Sequence, residues 1–178
     1  MPLRNSLKLI RRRPVILALI LFFAAFSVAA QTRISLPRTG LEPIDIAVIV
    51  NDDDPLSRQI GSYYQQARQI PESNMIHLRF PSGRSVMTVQ EFKQLKATLD
   101  QLTPDHVQAY AVAWTAPYRA GCMSLTSALA FGFDKKYCAR KCEPTAPSPY
   151  FNTPSLYPAG DYKLRPAMML AGTTFAQV

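Results

Sequence analysis

Only two histidines, three cysteines and one tryptophan occur among the 178 residues. His77 and His106 stand far in sequence from Cys122, Cys138 and Cys142, so a mixed cysteine–histidine zinc site is not expected. The Cys138-x3-Cys142 spacing also misses the two-residue gap of the usual zinc pair. No histidine neighbours Cys122, so a cysteine nucleophile there has no local base. Neither G-x-G-x-x-G nor a P-loop lysine follows the first apolar strand, which excludes ordinary dinucleotide and Walker-type phosphate binding. Gly121-Cys122-Met123-Ser124 does not form a nucleophile elbow. No metal or cofactor is expected.

The first thirty residues contain no acidic side chain. What they contain is ordered: Arg4, Lys8 and Arg11-Arg12-Arg13, then an apolar run from Pro14 to Phe26, then Ser27-Val28-Ala29-Ala30. A basic head, a short apolar stretch and small residues before a cut make up a secretory signal peptide, with cleavage expected before Gln31. Absence of a cysteine near that cut argues against a lipoprotein. The alternative is an uncleaved inner-membrane anchor, since Pro14–Ala30 lies near the lower length limit of a spanning helix. The expected location is periplasmic or secreted, with membrane contact only through this segment.

The leader carries five of the twenty basic residues and none of the twelve acidic ones, leaving 15 against 12, a net charge of +3. The high isoelectric point is therefore partly a targeting signature, and no nucleic-acid partner is expected. The remaining length suits one domain with a core of its own. Prolines 144, 147, 149, 154, 158 and 166 crowd one stretch and predict an irregular, loop-rich segment at about 120–163. Three cysteines in an oxidising compartment leave one over. Cys138 can pair with Cys142, or Cys122 with either.

Beyond an extended N-terminus at 31–43, the periodicity predicts an α/β fold over 44–178. Ile44–Val50 is β-branched and almost continuously apolar, as in a strand buried on both faces. Asn51-Asp52-Asp53-Asp54-Pro55 follows, with an aspartate to cap a helix and a proline for its first turn. That helix runs from about Leu56 to Gln69, with Leu56, Ile60, Tyr63, Tyr64 and Ala67 on its apolar face. Met75–Phe80 alternates as a second strand. Thr88 and Glu91 form a capping box for a second helix with Val89, Phe92, Leu95, Leu99 and Leu102 as its stripe. Val107–Trp114 alternates as a third strand, Ser124–Phe131 reads as a short helix, and Ala167–Ala171 as a fourth strand before a helix start at Thr173. Strand–helix alternation with short links predicts a mostly parallel three- to four-stranded sheet flanked by helices, a flavodoxin-like or Rossmann-like half.

Several of these stretches occur together: Asn51-Asp52-Asp53-Asp54-Pro55-x-Ser57, Tyr63-Tyr64, Ala67-Arg68-x-Ile70-Pro71 with Asn74, Pro117-Tyr118-Arg119, Ser148–Asn152, and Arg165–Leu170. Over about residues 42–175 the chain resembles a family of exported bacterial proteins of uncharacterised function. Members are about twice this long, so the chain resembles an N-terminal fragment of one. The family supplies no reaction and no catalytic residues. If the short chain is instead a product in its own right, the apolar end from Met168 to Val178 is expected to dock a partner subunit.

Ligands of open parallel sheets bind beyond the carboxyl ends of the strands. Those ends carry Asn51, Asp52, Asp53 and Asp54 after the first strand and Thr115, Tyr118 and Arg119 after the third. The acids suit a cation or a hydroxyl-rich ligand and Arg119 a carboxylate or phosphate; the plainer expectation is a solvated capping turn and a surface arginine. Tyr63, Tyr64 and Arg68 make an aromatic–cation surface, or one tyrosine packs in the core and the other meets solvent. His77 is expected to be a paired structural histidine and His106 a surface turn residue. Tyr150, Phe151, Tyr157 and Tyr162 either wall a sugar or peptide site or pack their loop down. Two functions fit: an envelope protein that binds a polymer or partner through the aromatic, Pro-rich loops, or a hydrolase on a caspase-like or flavodoxin-like sheet with Cys122 as nucleophile. A non-functional fragment is the third expectation.

Overall fold

The structure, a computed structural model, describes residues 40–139, 141–170, 172 and 174–177. The expected leader at 1–30 and most of the expected extended N-terminus at 31–43 lie outside the described residues. Four strands form one all-parallel sheet in the order β2–β1–β4–β7: β1 Ile46–Asn51, β2 Met75–Leu78, β4 Ala109–Val112 and β7 Ala167–Met169. The first strand of the sheet therefore pairs with the second on one side and the third on the other, the flavodoxin-like arrangement. The α/β class with a parallel sheet is as the periodicity predicts.

Alternation explains the layers. Ala47 and Ile49 of β1 and Tyr110, Val112 and Trp114 of the β4 segment enter one apolar cluster. Val48, Val50, Ala111 and Ala113 enter another on the opposite face. Helix α1 (Pro55–Arg68) covers the second cluster with Ile60, Leu56 and Tyr64. Helix α2 (Val89–Leu102) covers the first with Phe92, Leu99 and Leu95. Helix α3 (Leu125–Phe131) adds Leu125, Ala128 and Leu129 to that same side.

The termini of the helices follow their sequence signals. Asp54 caps α1, accepting from the Leu56 N–H at 2.9 Å, and Pro55 occupies the first turn. Thr88 and Glu91 complete a reciprocal capping box on α2. Ser124 caps α3 by accepting from the Ser127 N–H at 3.2 Å.

Several expectations need correction. Pro43–Asp45 is a 3-10 turn, so the first strand begins at Ile46, not Ile44. The Val107–Trp114 segment alternates in sequence but is buried on both faces, because β4 is an interior strand flanked by β1 and β7. Leu102, 52% exposed, and Ala67, also exposed, leave the apolar stripes expected of them. A second, three-stranded sheet in the order β3–β5–β6 was not expected: β3 Val86–Met87, β5 Arg119–Ala120 and β6 Met123–Ser124. A short helix, α4 (Pro158–Tyr162), interrupts the Pro-rich segment, and Phe175–Gln177 is a 3-10 turn.

The disulfide joins Cys122 to Cys138 with their Cα atoms 5.2 Å apart, and Cys142 is an exposed free thiol. Of the pairings open in the sequence, this one ties the turn between β5 and β6 to the stretch after α3. Among the described residues no helix is long and apolar enough to cross a membrane.

Candidate functional site

The acid turn after β1 is built around Asn51, which is fully buried. Its N–H donates to Ser57 Oγ at 2.8 Å, its Nδ2 donates to the Phe80 carbonyl at 2.9 Å, and its Oδ1 accepts from Phe80 N–H at 3.3 Å and Asp53 N–H at 3.2 Å. Asn51 thus fastens the carboxyl end of β1 to the chain leaving β2, and its side chain is spent on that task.

The three aspartates divide their roles, with Arg79 shared between Asp52 and Asp53. Asp52 Oδ1 lies 2.7 Å from His77 Nδ1, its Oδ2 is 3.5 Å from Arg79 Nη2, and its carbonyl accepts from Arg58. The hydrogen bond from His77 holds the Asp52 carboxyl below its ordinary value, with the nearby charges of His77, Arg79 and Arg58 adding to it against a smaller cost of burial. Asp53 pairs with Arg79 Nη1 at 3.2 Å, while Asp54 is the helix cap. Among the described residues no group of three or more His, Cys, Asp or Glu side chains is placed to hold a metal.

The residues after β4 go elsewhere. Thr115 Oγ1 donates to the Gly172 carbonyl at 2.7 Å, joining the end of β4 to the chain beyond β7. Tyr118 donates its N–H to the Ser85 carbonyl and its carbonyl accepts from Leu125 N–H, so it leads into β5 of the second sheet with its ring half exposed. Arg119 lies beside it in β5, opposite Val86, and is exposed. The seven residues therefore divide among a buried pin, a charged surface cluster, a helix cap, a strand tie and the small sheet.

The charged cluster borders a cleft of about 370 Å³ between the carboxyl end of β2 and α2. His77, Arg79, Arg84 and Glu91 contribute polar groups, and Leu78, Phe80, Met87 and Leu95 contribute apolar surface. Arg84 Nη2 is 2.8 Å from Glu91. Hydrogen bonds from Arg84 and Thr88 hold the Glu91 carboxyl down to about 2. Each basic side chain lining this rim faces a carboxylate: His77 faces Asp52, Arg79 faces Asp52 and Asp53, and Arg84 faces Glu91.

A second cleft, of about 310 Å³, lies beside the start of β7, at the amino edge of the parallel sheet. Six hydroxyl-bearing side chains line it: Thr126, Ser127, Tyr137, Thr145, Ser148 and Tyr150. Phe131 and Leu164 supply apolar surface, and Phe131 packs edge-on to Tyr137 with centroids 4.6 Å apart. None of the described residues lining this cleft is charged. Lys136, whose ammonium lies 4.9 Å from the Tyr137 ring centre, is paired with Asp134 at 3.2 Å.

The Pro-rich loop supplies one wall through Thr145, Ser148 and Tyr150. Of its four aromatic residues only Tyr150 lines the cleft, with its hydroxyl donating to the Ser155 carbonyl at 3.2 Å. Phe151 is 78% exposed, and Tyr157 and Tyr162 are half exposed. On α1, Tyr64 packs against the core with Arg68 5.9 Å above its ring, and Tyr63 is half exposed beside Phe175. His106 is exposed and bonded to Asn74 Oδ1 at 3.0 Å.

Sequence reasoning missed Thr126, Ser127, Tyr137 and Thr145. The signal was present in two pieces: Ser124 as a cap puts Thr126 and Ser127 in the first turn of α3, and a Cys122–Cys138 bond returns the following loop toward that turn. With its sulfur bonded to Cys138, Cys122 has no thiolate to offer, so the hydrolase expectation lacks its nucleophile here. Comparison with protein-family models, with curated proteins and with solved structures gives no match to this chain.

Proposed function

We propose that this chain is an exported envelope protein that binds a ligand or partner and does not transform it. One observation carries the reading: the cleft beside α3 is lined by hydroxyls and aromatic rings with no charged side chain among its described lining. Acid–base and nucleophilic catalysis need a titratable or activated group in the site, and this cleft offers hydroxyls without a base. Binding needs only shape, apolar surface and a few polar contacts. The leader layout of residues 1–30 and the family resemblance support an address outside the cytoplasm, and a disulfide accords with an oxidising compartment.

The test has two parts. Mass spectrometry of the protein recovered from its producing cells is expected to find a chain beginning at Gln31; a chain that retains Met1–Ala30 in the membrane favours the anchored alternative, and one that retains them in the cytoplasm removes the export reading. Hydrogen exchange with and without solubilised envelope material is expected to show added protection at 126–131 and 145–150. Unchanged exchange there removes the cleft as the site.

A second reading, hydrolysis, has one observation in its favour. The Asp52–His77 pair has the geometry of a carboxylate orienting an imidazole at the edge of the other cleft. Turnover of simple ester or amide substrates that disappears in His77→Ala would establish it, and equal background in both proteins would dismiss it.

A further inference from the structure

The lining of the cleft beside α3 selects a ligand class. We infer that it takes a neutral, hydroxyl-rich ligand, a segment of an uncharged saccharide chain; this rests on the binding reading above and goes beyond it by naming the chemistry. A charged ligand entering the cleft loses water without gaining a counter-ion from its described lining, a cost that hydroxyls alone do not offset. A purely apolar ligand strands the hydroxyls of both walls. A saccharide meets both demands. Its hydroxyls donate and accept in the same way as the lining, and its C–H faces lie against rings.

The hydroxyls retain capacity for this. Ser127 Oγ accepts from Ser124 Oγ at 2.8 Å and keeps its own O–H. Ser148 Oγ accepts from the Tyr150 N–H at 3.2 Å and likewise keeps a donor. Tyr150 donates to Ser155 and keeps its acceptor lone pairs. The two serines thus present donors and Tyr150 an acceptor, from α3 and the Pro-rich loop respectively for Ser127 and the other two. Tyr137, edge-on to Phe131, supplies ring surface. The volume of about 310 Å³ falls at the small end of ligand clefts, roughly 300–1,000 Å³, as suits a few sugar units of a longer chain. The Cys122–Cys138 bond restrains the loop that forms the second wall, which reduces the ordering cost of binding.

The experiment uses the disulfide-intact protein and three probes of similar length: a neutral N-acetylated chito-oligosaccharide, an acidic oligogalacturonate and an uncharged Pro-rich peptide. Calorimetry is expected to show saturable binding of the neutral saccharide below about 1 mM and weaker or no binding of the acidic one. Ser127→Asp puts a carboxylate into the cleft at a helix position where acid favours the cap, so the fold is expected to hold. It is expected to weaken saccharide binding about tenfold. Tyr150→Phe keeps the ring, removes the hydroxyl and gives a second, milder loss. Preference for the acidic probe, or saccharide affinity indifferent to both substitutions, overturns the inference. Peptide binding that Ser127→Asp abolishes, without saccharide binding, overturns the ligand class and leaves the binding cleft standing. Failure of all three probes with no exchange protection by envelope material removes both.

Discussion

Asn51 and Phe80 hold each other across 29 residues of chain: Asn51 Nδ2 donates to the Phe80 carbonyl at 2.9 Å, and the Phe80 N–H donates back to Asn51 Oδ1 at 3.3 Å. The pair is buried, so no water replaces a lost partner. Asn51→Leu strands both Phe80 backbone groups and the Asp53 N–H, and is expected to cost about 2–4 kcal/mol. Urea unfolding followed by the single, fully buried Trp114 checks this, because its Nε1 bond to the Pro117 carbonyl and its edge-on contact with Phe80 are lost together on unfolding. A variant as stable as the parent would show that the acid turn is held by its surface charges instead.

Gly61 of α1 lies against Val50 of β1 so closely that an added Cβ would come within 2.5 Å of Val50 Cγ2. Helix propensity alone favours alanine at this position by about 1 kcal/mol. Contact with a packed strand opposes it, and the clash is the larger effect. Gly61→Ala is expected to destabilise by about 1–3 kcal/mol. The double variant Gly61→Ala with Val50→Ala is expected to lose less than the two single losses combined, and strict additivity in denaturant unfolding would place the strain elsewhere.

Among the described carboxylates, Asp52, Glu91 and Asp134 are held low, and the first two give tests of the acid limb of stability. Asp52 and Glu91 are both held below their ordinary values of 3.8 and 4.5. A depressed carboxylate stabilises the fold above the unfolded value and loses that contribution as pH falls through the folded one. For Glu91 the window runs from 4.5 down to about 2. The stability difference between parent and Glu91→Ala is expected to shrink across that window, and salt is expected to reduce its ion-pair part because the pair is partly exposed. For Asp52 the loss begins as pH falls past 3.8, and Asp52→Asn is expected to flatten the curve there. A difference that stays constant to pH 2 in both variants contradicts the assignment.

Thiol titration of denatured, unreduced protein is expected to give one thiol per chain, Cys142, and three after reduction. Cys122→Ser closes no loop across the 16-residue separation and is expected to cost about 3 kcal/mol. Limited proteolysis is expected to cut the Pro-rich segment of that variant first. Equal protease resistance in both forms would mean that the segment is held by its packing alone.

What the sequence made legible is local. The β-branched run of β1, the Asp54–Pro55 start of α1 and the Thr88–Glu91 box are complete within a few residues; the two helix starts stand where the pattern puts them, and the strand is there but begins two residues late. The small sheet was illegible because strands of two residues carry no period. In Val107–Trp114 the alternation does not mark an exposed face: Gln108 and Tyr110 are both buried. Gln108 Oε1 accepts from Ala159 N–H at 3.1 Å, and Tyr110 OH meets Thr103 Oγ1 at 3.0 Å. At the acid turn the aspartates were visible and their partners were not, since His77 and Arg79 arrive from 25 or more residues away. For the hydroxyl cleft, the Ser124 cap places Thr126 and Ser127, but the path that brings Thr145, Ser148 and Tyr150 opposite them carries no periodicity.

The strand order has a consequence for how the chain comes to be folded. In the order β2–β1–β4–β7 every neighbour of the main sheet is reached through a crossover, and none through a hairpin. Ala47–Val50, the most apolar stretch of β1, finds its second partner only when Val112 is available. Until then an uncharged ladder edge stands open on the chain. Assembly is accordingly slow by topology, with the central strand as the point most exposed to wrong pairing between chains. Residues 79–112 are thus the stretch that must be present before β1 has both its neighbours.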